Sequence, residues 1–179
     1  MVNAKQLLFV LVLFVPNVIL AQSNAEIQWL TLSQAMDSVK VKPKKVLVDF
    51  YTDWCGWCKQ MDAKTFKDLQ VAKYVNEKYY AVKFNAEKEG PIIIGDSVYT
   101  IQLSSTSKRT AHPIAQQMMN GKMSYPTIVY LDENLSILSS VPGYMSPVDI
   151  EPVLLFFGDN HYQKQSWEDY QVDFKNKKR

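Results

Sequence analysis

The sequence predicts an α/β protein with a central mixed sheet covered by helices on both faces. Three observations carry this. Runs of β-branched and aromatic residues recur at VLVDFY (46–51), YYAVKF (79–84) and YPTIVYL (125–131) and read as strands, the first apolar enough to be buried on both sides. An apolar stripe at helical spacing joins the first two. The third is followed by a turn, another apolar run and a helical pattern. A β-α-β unit followed by β-β-α puts strands of both directions in one sheet and helices on its faces.

The elements follow in order. Residues 1–6 carry one lysine and no acid, residues 7–15 (LLFVLVLFV) are unbroken apolar, Pro16 and Asn17 interrupt, and Ala21 supplies a small residue. This is the three-part pattern of a secretory signal peptide cleaved near Ala21. The rival is a membrane anchor, but a span needs ~20 apolar residues and this run is shorter. Residues 33–39 (SQAMDSV) read as a short helix with Ser33 as N-cap. The strand at 46–51 holds one charge, Asp49. Residues 58–75 read as helical, with Met61, Phe66, Leu69, Ala72 and Val75 on one stripe and Asp68 marking a local break. The second strand, 79–84, ends at Asn85.

Residues 87–121 are an irregular insert. Residues 92–94 and 98–101 predict a hairpin about Gly95-Asp96, residues 103–109 a polar loop, and residues 113–120 a short helix between Pro113 and Gly121. The third strand spans 125–131, residues 132–134 turn the chain, and a fourth strand spans 135–141. A helix over 147–157 closes at Gly158. Beyond it, Ser166 with Asp169 resembles a capping box, and Trp167, Tyr170 and Phe174 share a helical face suited to docking on the body. The expected organisation is a signal peptide (1–21), one domain (22–158) and a C-terminal extension (159–179).

Composition narrows the function. The chain has 179 residues, 47% hydrophobic, with net charge +2, so it can bury a full core and offers no electrostatic case for nucleic acid. The KNKKR end (175–179) reads as a solvated tail.

Cys55 and Cys58, within DWCGWC, are the only cysteines. In an exported chain disulfides form and persist. A structural clip is one reading, but closing so short a loop stabilises little. A metal site is another, but structural zinc takes four protein ligands, and two cysteines with the distant His112 and His161 are a poor set; no metal is expected. The third reading is a redox pair. Cys55 falls where a buried strand meets a helix, so its thiolate faces the free N–H groups of the first turn, which lower its pKa. Cys58 lies one turn on, deeper, within reach to close a disulfide. Cys55 then attacks substrate and Cys58 resolves the mixed disulfide.

The segment VDFYTDWCGWCK resembles the active site of the thioredoxin superfamily. Asp49 stands at the family's buried acid, Trp54 and Lys59 match the residues flanking its dithiol, and Lys83 in VKFNAE matches the lysine near the acid. Tyr125-Pro126-Thr127 resembles the cis-proline segment, and Gly143 the glycine after the last strand. Trp57 departs from thioredoxin itself, which has proline there, and the insert is longer. The resemblance implies a thioredoxin-like fold, a proton-accepting role for Asp49, and substrate contacts at Trp54, Trp57, Tyr125 and Pro126, with Lys83 and Lys59 in support. Read on the residues alone, Asp49 is also compatible with a core acid satisfied by Lys83, Trp57 with surface packing, and Pro126 with an ordinary edge proline.

The expected function is an exported (periplasmic or extracellular) thiol–disulfide oxidoreductase of reductase or isomerase type. It needs no cofactor beyond the Cys55–Cys58 pair. Its partners are protein thiols and disulfides and an electron donor, expected at the membrane. The alternative is a thioredoxin-like binding module whose disulfide is structural.

Overall fold

The computed structural model describes residues 26–101 and 110–177; the expected signal peptide and the loop at 103–109 lie outside the described residues. The chain runs β1 (Trp29–Leu30), α1 (Leu32–Val41), β2 (Lys45–Tyr51), α2 (Gly56–Lys64), α3 (Leu69–Lys78) and β3 (Tyr79–Asn85). Then come β4 (Ile92–Ile94), β5 (Ser97–Tyr99), α4 (Pro113–Met118), β6 (Thr127–Leu131), β7 (Ile137–Pro142), α5 (Pro147–Gly158), a 3-10 turn (His161–Gln163) and α6 (Trp167–Lys177).

The five-stranded sheet has the order β1-β3-β2-β6-β7. β3 is parallel to β1 and β2, while β6 is antiparallel to β2 and β7. This is the mixed sheet the sequence predicts. β2 lies at its centre, so its side chains are buried on both faces, which is why VLVDFY lacks polar alternation. One face packs under α2, α3, α5 and α6 through Leu47, Met61, Val75, Tyr130, Ile150 and Tyr170. The other packs under α1 and α4 through Ala35, Val48, Phe50, Phe84, Ile114 and Val129.

Several boundaries differ from expectation, each for a local reason. The first helix is capped by Thr31 rather than Ser33: Thr31 accepts from the Gln34 N–H while the Gln34 side chain bonds back to the Thr31 N–H. The helix expected over 58–75 is two helices. The Asp68 carboxylate accepts from Gln70 and Val71 N–H and so restarts the chain as α3, while the Thr65 hydroxyl is drawn away to the Met145 carbonyl. β6 begins at Thr127, after Pro126, which has no N–H to give a ladder. β7 begins at Ile137 because Asp132 accepts from both Asn134 and Ser136 N–H and lengthens the turn. α4 ends at Met118, with Asn120 and Gly121 both in left-handed conformation. β1, only two residues long, carries too little pattern to be read from sequence.

In the C-terminal extension Ser166 and Asp169 do form the expected cap contacts. Tyr170 is buried and packs, with Trp167, against Phe156 of α5. No described helix is long and apolar enough to cross a membrane.

Candidate active site

Cys55 is the N-cap of α2, the first residue after the loop that leaves β2. The backbone N–H of Cys58 donates to Cys55 Sγ at 3.0 Å, so the helix start addresses that sulfur as the motif predicts. The two cysteines form a disulfide of 2.04 Å with Cα atoms 5.3 Å apart. Both are buried in this oxidised form, Cys58 at 2% exposure and Cys55 at 4%. The expected difference in depth is therefore small, and Cys55 is less open than the sequence reading supposed.

The loop before Cys55 is fastened to the end of β3. The Tyr51 carbonyl accepts from Ala86 N–H, and Asn85 Nδ2 donates to Asp53. Lys88 adds an ion pair to Asp53, whose carboxyl this holds below the ordinary value. Trp54 Nε1 donates to Glu87 at 2.8 Å, and its ring stands edge-on to Tyr125. Trp54 and Trp57 are both more than half exposed, and Trp57 leans on Tyr144. Together they form an apolar rim. Lys59 is exposed one residue past Cys58, and its charge adds a little to the lowering of the Asp53 pKa.

The Tyr125–Pro126 peptide is cis. The Pro126 carbonyl accepts from Gly143 N–H at 2.8 Å. Gly143 has φ 101°, a conformation side chains resist, so this loop contact requires glycine. Burial, with Glu87 nearby, pushes the Tyr125 phenol up to about 12.

A charged cluster joins β2, β3 and α2. Asp49 on β2 is directly opposite Lys83 on β3 in the parallel ladder. Lys83 Nζ donates to Asp49 Oδ2 at 2.5 Å and also to Asp62 Oδ1 on α2. Asp62 lies four residues after Cys58, on the same helix face. The Asp62–Lys83 contact therefore lays the Cys58 face of α2 over the Asp49–Lys83 rung. Asp49 is almost wholly buried, and its Oδ1 has no hydrogen-bond partner among the described residues. Burial raises its pKa, Lys83 offsets part of this, and the Asp62 charge adds to the rise. Burial works against the Lys83 ammonium, but the two carboxylates outweigh it and raise its pKa. The rings of Trp29, Tyr51 and Phe66 surround the ammonium at 4.9–5.2 Å.

Sequence reasoning named Asp49 and Lys83 but missed Asp62 and Glu87. Asp62 was legible in principle from its spacing to Cys58, whereas Glu87 sits in the insert, where no periodicity marks it. His112 is a buried structural residue: Nδ1 accepts from Ile114 N–H, and Nε2 meets the Tyr99 carbonyl. Among the described residues no three His, Cys, Asp or Glu side chains converge as metal ligands. A groove of about 440 Å³ between α3 and α5, bounded by Asp68, Tyr74, Val148 and Leu155, contains neither cysteine.

The sheet order, the dithiol at the start of α2 and the cis-proline loop beside β6 define a thioredoxin-fold protein with a CxxC disulfide. The chain belongs to the Thioredoxin-like domain family, which matches residues 32–158. A stretch of 42 residues is 48% identical to thiol:disulfide interchange protein DsbD of Escherichia coli K12, covering 24% of this chain and 7% of that protein. Only a small part of that relative's length is therefore represented. A thioredoxin-fold protein from Helicobacter pylori superposes with TM-score 0.53 at 22% identity, covering 75% of this chain and 81% of that one. A putative disulphide-isomerase from Bacteroides thetaiotaomicron superposes with TM-score 0.52 at 23% identity, covering 75% and 95%. Both share the fold.

Proposed function

We propose that this chain is an exported thiol–disulfide oxidoreductase, acting in the periplasm or outside the cell as a reductase or isomerase. The observation that carries the reading is the Cys55 sulfur placed on the Cys58 N–H at the start of α2. That geometry favours the thiolate over the thiol, and the thiolate is the attacking species.

In the reduced protein, Cys55 thiolate attacks one sulfur of a substrate disulfide. A Cys55–substrate disulfide forms, and the other substrate sulfur leaves as a thiolate that takes a proton from water. Cys58 then gives its proton to Asp49 and its sulfur attacks Cys55 Sγ, breaking the mixed disulfide and releasing the substrate sulfur bonded there as a thiolate, which is protonated in turn. The chain is left as the Cys55–Cys58 disulfide, having passed two electrons to substrate. A dithiol donor returns them, and in an oxidising space that donor is supplied across the membrane.

Asp49 fits the proton step because burial raises its pKa toward neutrality. Lys83 orients it. Trp54, Trp57, Tyr125 and Pro126 offer the rim on which an unfolded or extended protein segment would lie, and Lys59 stands at its exposed edge. The thiol:disulfide interchange named for the DsbD relative is consistent with this chemistry.

The test is the reduction potential of the pair together with a Cys58→Ser trap. A potential near the reducing thioredoxins, about −270 mV, with substrates held as mixed disulfides on Cys55, is the expected result. A second reading draws on the low exposure of Cys55: a binding module whose disulfide only fastens the start of α2. It predicts an empty trap, a disulfide that resists glutathione and no reduction of insulin.

A further inference from the structure

We infer that Asp62 is a positioning residue for the acid–base step, dividing the Lys83 ammonium so that Asp49 is not locked as a permanently paired carboxylate. The inference rests on the reading of Asp49 as proton acceptor for Cys58. An acid that must take a proton and release it again is poorly served by undivided contact with a buried cation. Such contact favours the carboxylate and weakens it as a base.

The geometry supplies the division. Lys83 Nζ contacts Asp49 and Asp62 together. The Asp49 side chain is 2% exposed, Lys83 21% and Asp62 44%, so the three run from the core to solvent. A cavity of about 190 Å³, bounded by Trp29, Asp62, Phe66 and Lys83, opens beside the ammonium and does not include Asp49. Water thus reaches the Asp62 side of the lysine. The ring cage of Trp29, Tyr51 and Phe66 limits where Nζ can go, so it is held between the two acids.

The other charged and titratable groups facing the cluster are few. Glu26 and Lys67 border the cavity and pair with one another at 2.5 Å. Tyr51 faces the ammonium with its ring. On β6, the buried Tyr130 hydroxyl senses the Asp49 charge and is held far above its ordinary value, chiefly by burial. Among the described residues, Asp62 is the acid that shares the Asp49 counter-ion, Lys83.

Removing the Asp62 charge leaves Lys83 wholly to Asp49 and removes a repulsion. Both changes favour the Asp49 carboxylate. The experiment follows the Asp49 carboxyl by carbon NMR titration, and in parallel the pH profile of insulin reduction, in the wild type and in Asp62→Asn, Asp62→Glu and Asp49→Asn. In Asp62→Asn the Asp49 midpoint moves to lower pH. The acid limb of the rate profile moves with it, while the neutral plateau falls by about two- to threefold, the scale of one partly screened charge, because a carboxylate held by the whole ammonium is the weaker base. Asp62→Glu keeps the wild-type profile. An Asp49 midpoint unmoved in Asp62→Asn overturns the inference, as does a uniform loss of rate at every pH. If Asp49→Asn leaves the acid limb in place, the acid–base reading itself fails. The NMR titration of Asp62→Asn still decides whether Asp62 tunes its neighbour.

Discussion

Replacing Lys83 by methionine isolates the electrostatics of the Asp49–Lys83–Asp62 cluster. Methionine keeps an apolar stem against Trp29, Tyr51 and Phe66 and removes only the cation. Asp49 then lies buried with neither oxygen paired to lysine. Breaking a buried pair by deleting one partner costs ~3–5 kcal/mol. Here the lysine is partly exposed and shared with a half-exposed acid, so the expected loss at neutral pH is nearer ~2–4 kcal/mol. For a chain of this size that is a fall in melting temperature of ~5–15 °C.

The pH dependence is the sharper part. In the wild type, burial already raises the Asp49 pKa. A carboxyl raised in the folded state binds its proton more tightly there than in the unfolded chain. Its contribution to stability is therefore greatest at low pH and declines as pH rises through the folded value. Both influences that lower the Asp49 pKa come from Lys83, so Lys83→Met moves that decline to higher pH and deepens it. The variant should lose little at about pH 4, near the unfolded carboxyl value, and most at about pH 8. Adding Asp49→Asn removes the stranded charge and should recover at least about half of the loss, a coupling a double-mutant cycle reads directly. Urea unfolding of the oxidised protein across pH makes the measurement. Equal losses at both ends, or a double variant no better than Lys83→Met, would refute the reasoning.

Three further outcomes follow from other parts of the molecule. Reducing the disulfide should lower stability by only ~2 kcal/mol, the chain-entropy value for so short a loop; a loss several times larger in paired thermal melts would mark the bond as structural. Tyr170→Ala should cost ~2–4 kcal/mol, because Tyr170 is buried against Phe156 and Trp167, while insulin reduction is unchanged; a variant as stable as wild type would mean that α6 does not dock. Burial holds the His112 imidazole below its ordinary value, so its contribution is complete above about pH 6.5 and is lost as pH falls through the folded value. His112→Asn, which retains an acceptor for Ile114 N–H, should flatten that acid limb in thermal melts; an unchanged slope would assign the limb elsewhere.

Much of the fold was legible because its strands are short, apolar and separated by strong turn residues. Residues 46–51 and 79–84 read as strands for the same reason that they fill the centre of the sheet. Asp68 interrupted the helical pattern where the chain does change element, since a carboxylate that caps acts locally, whereas the strand start at Thr127 was missed because the apolar run reads through Pro126. The boundaries at Thr31 and Ile137 were missed because each depends on one side chain choosing a particular backbone partner. β1 was missed because two residues hold no period. The site was legible where it is contiguous, in DWCGWC, and at Asp49 and Lys83 through resemblance.

By itself, the sequence determined the central strands, the placement of Cys55 at a helix start, and the confinement of all thiol chemistry to one short segment, because these follow from side-chain period and local backbone chemistry. Only the tertiary structure decided that Lys83 serves two acids rather than one, that Trp54 is tied to Glu87 of the insert, and that Cys55 is nearly covered when oxidised. Those facts join residues on different elements, and the distances between such residues are set by how helices and sheet pack, which no local pattern encodes.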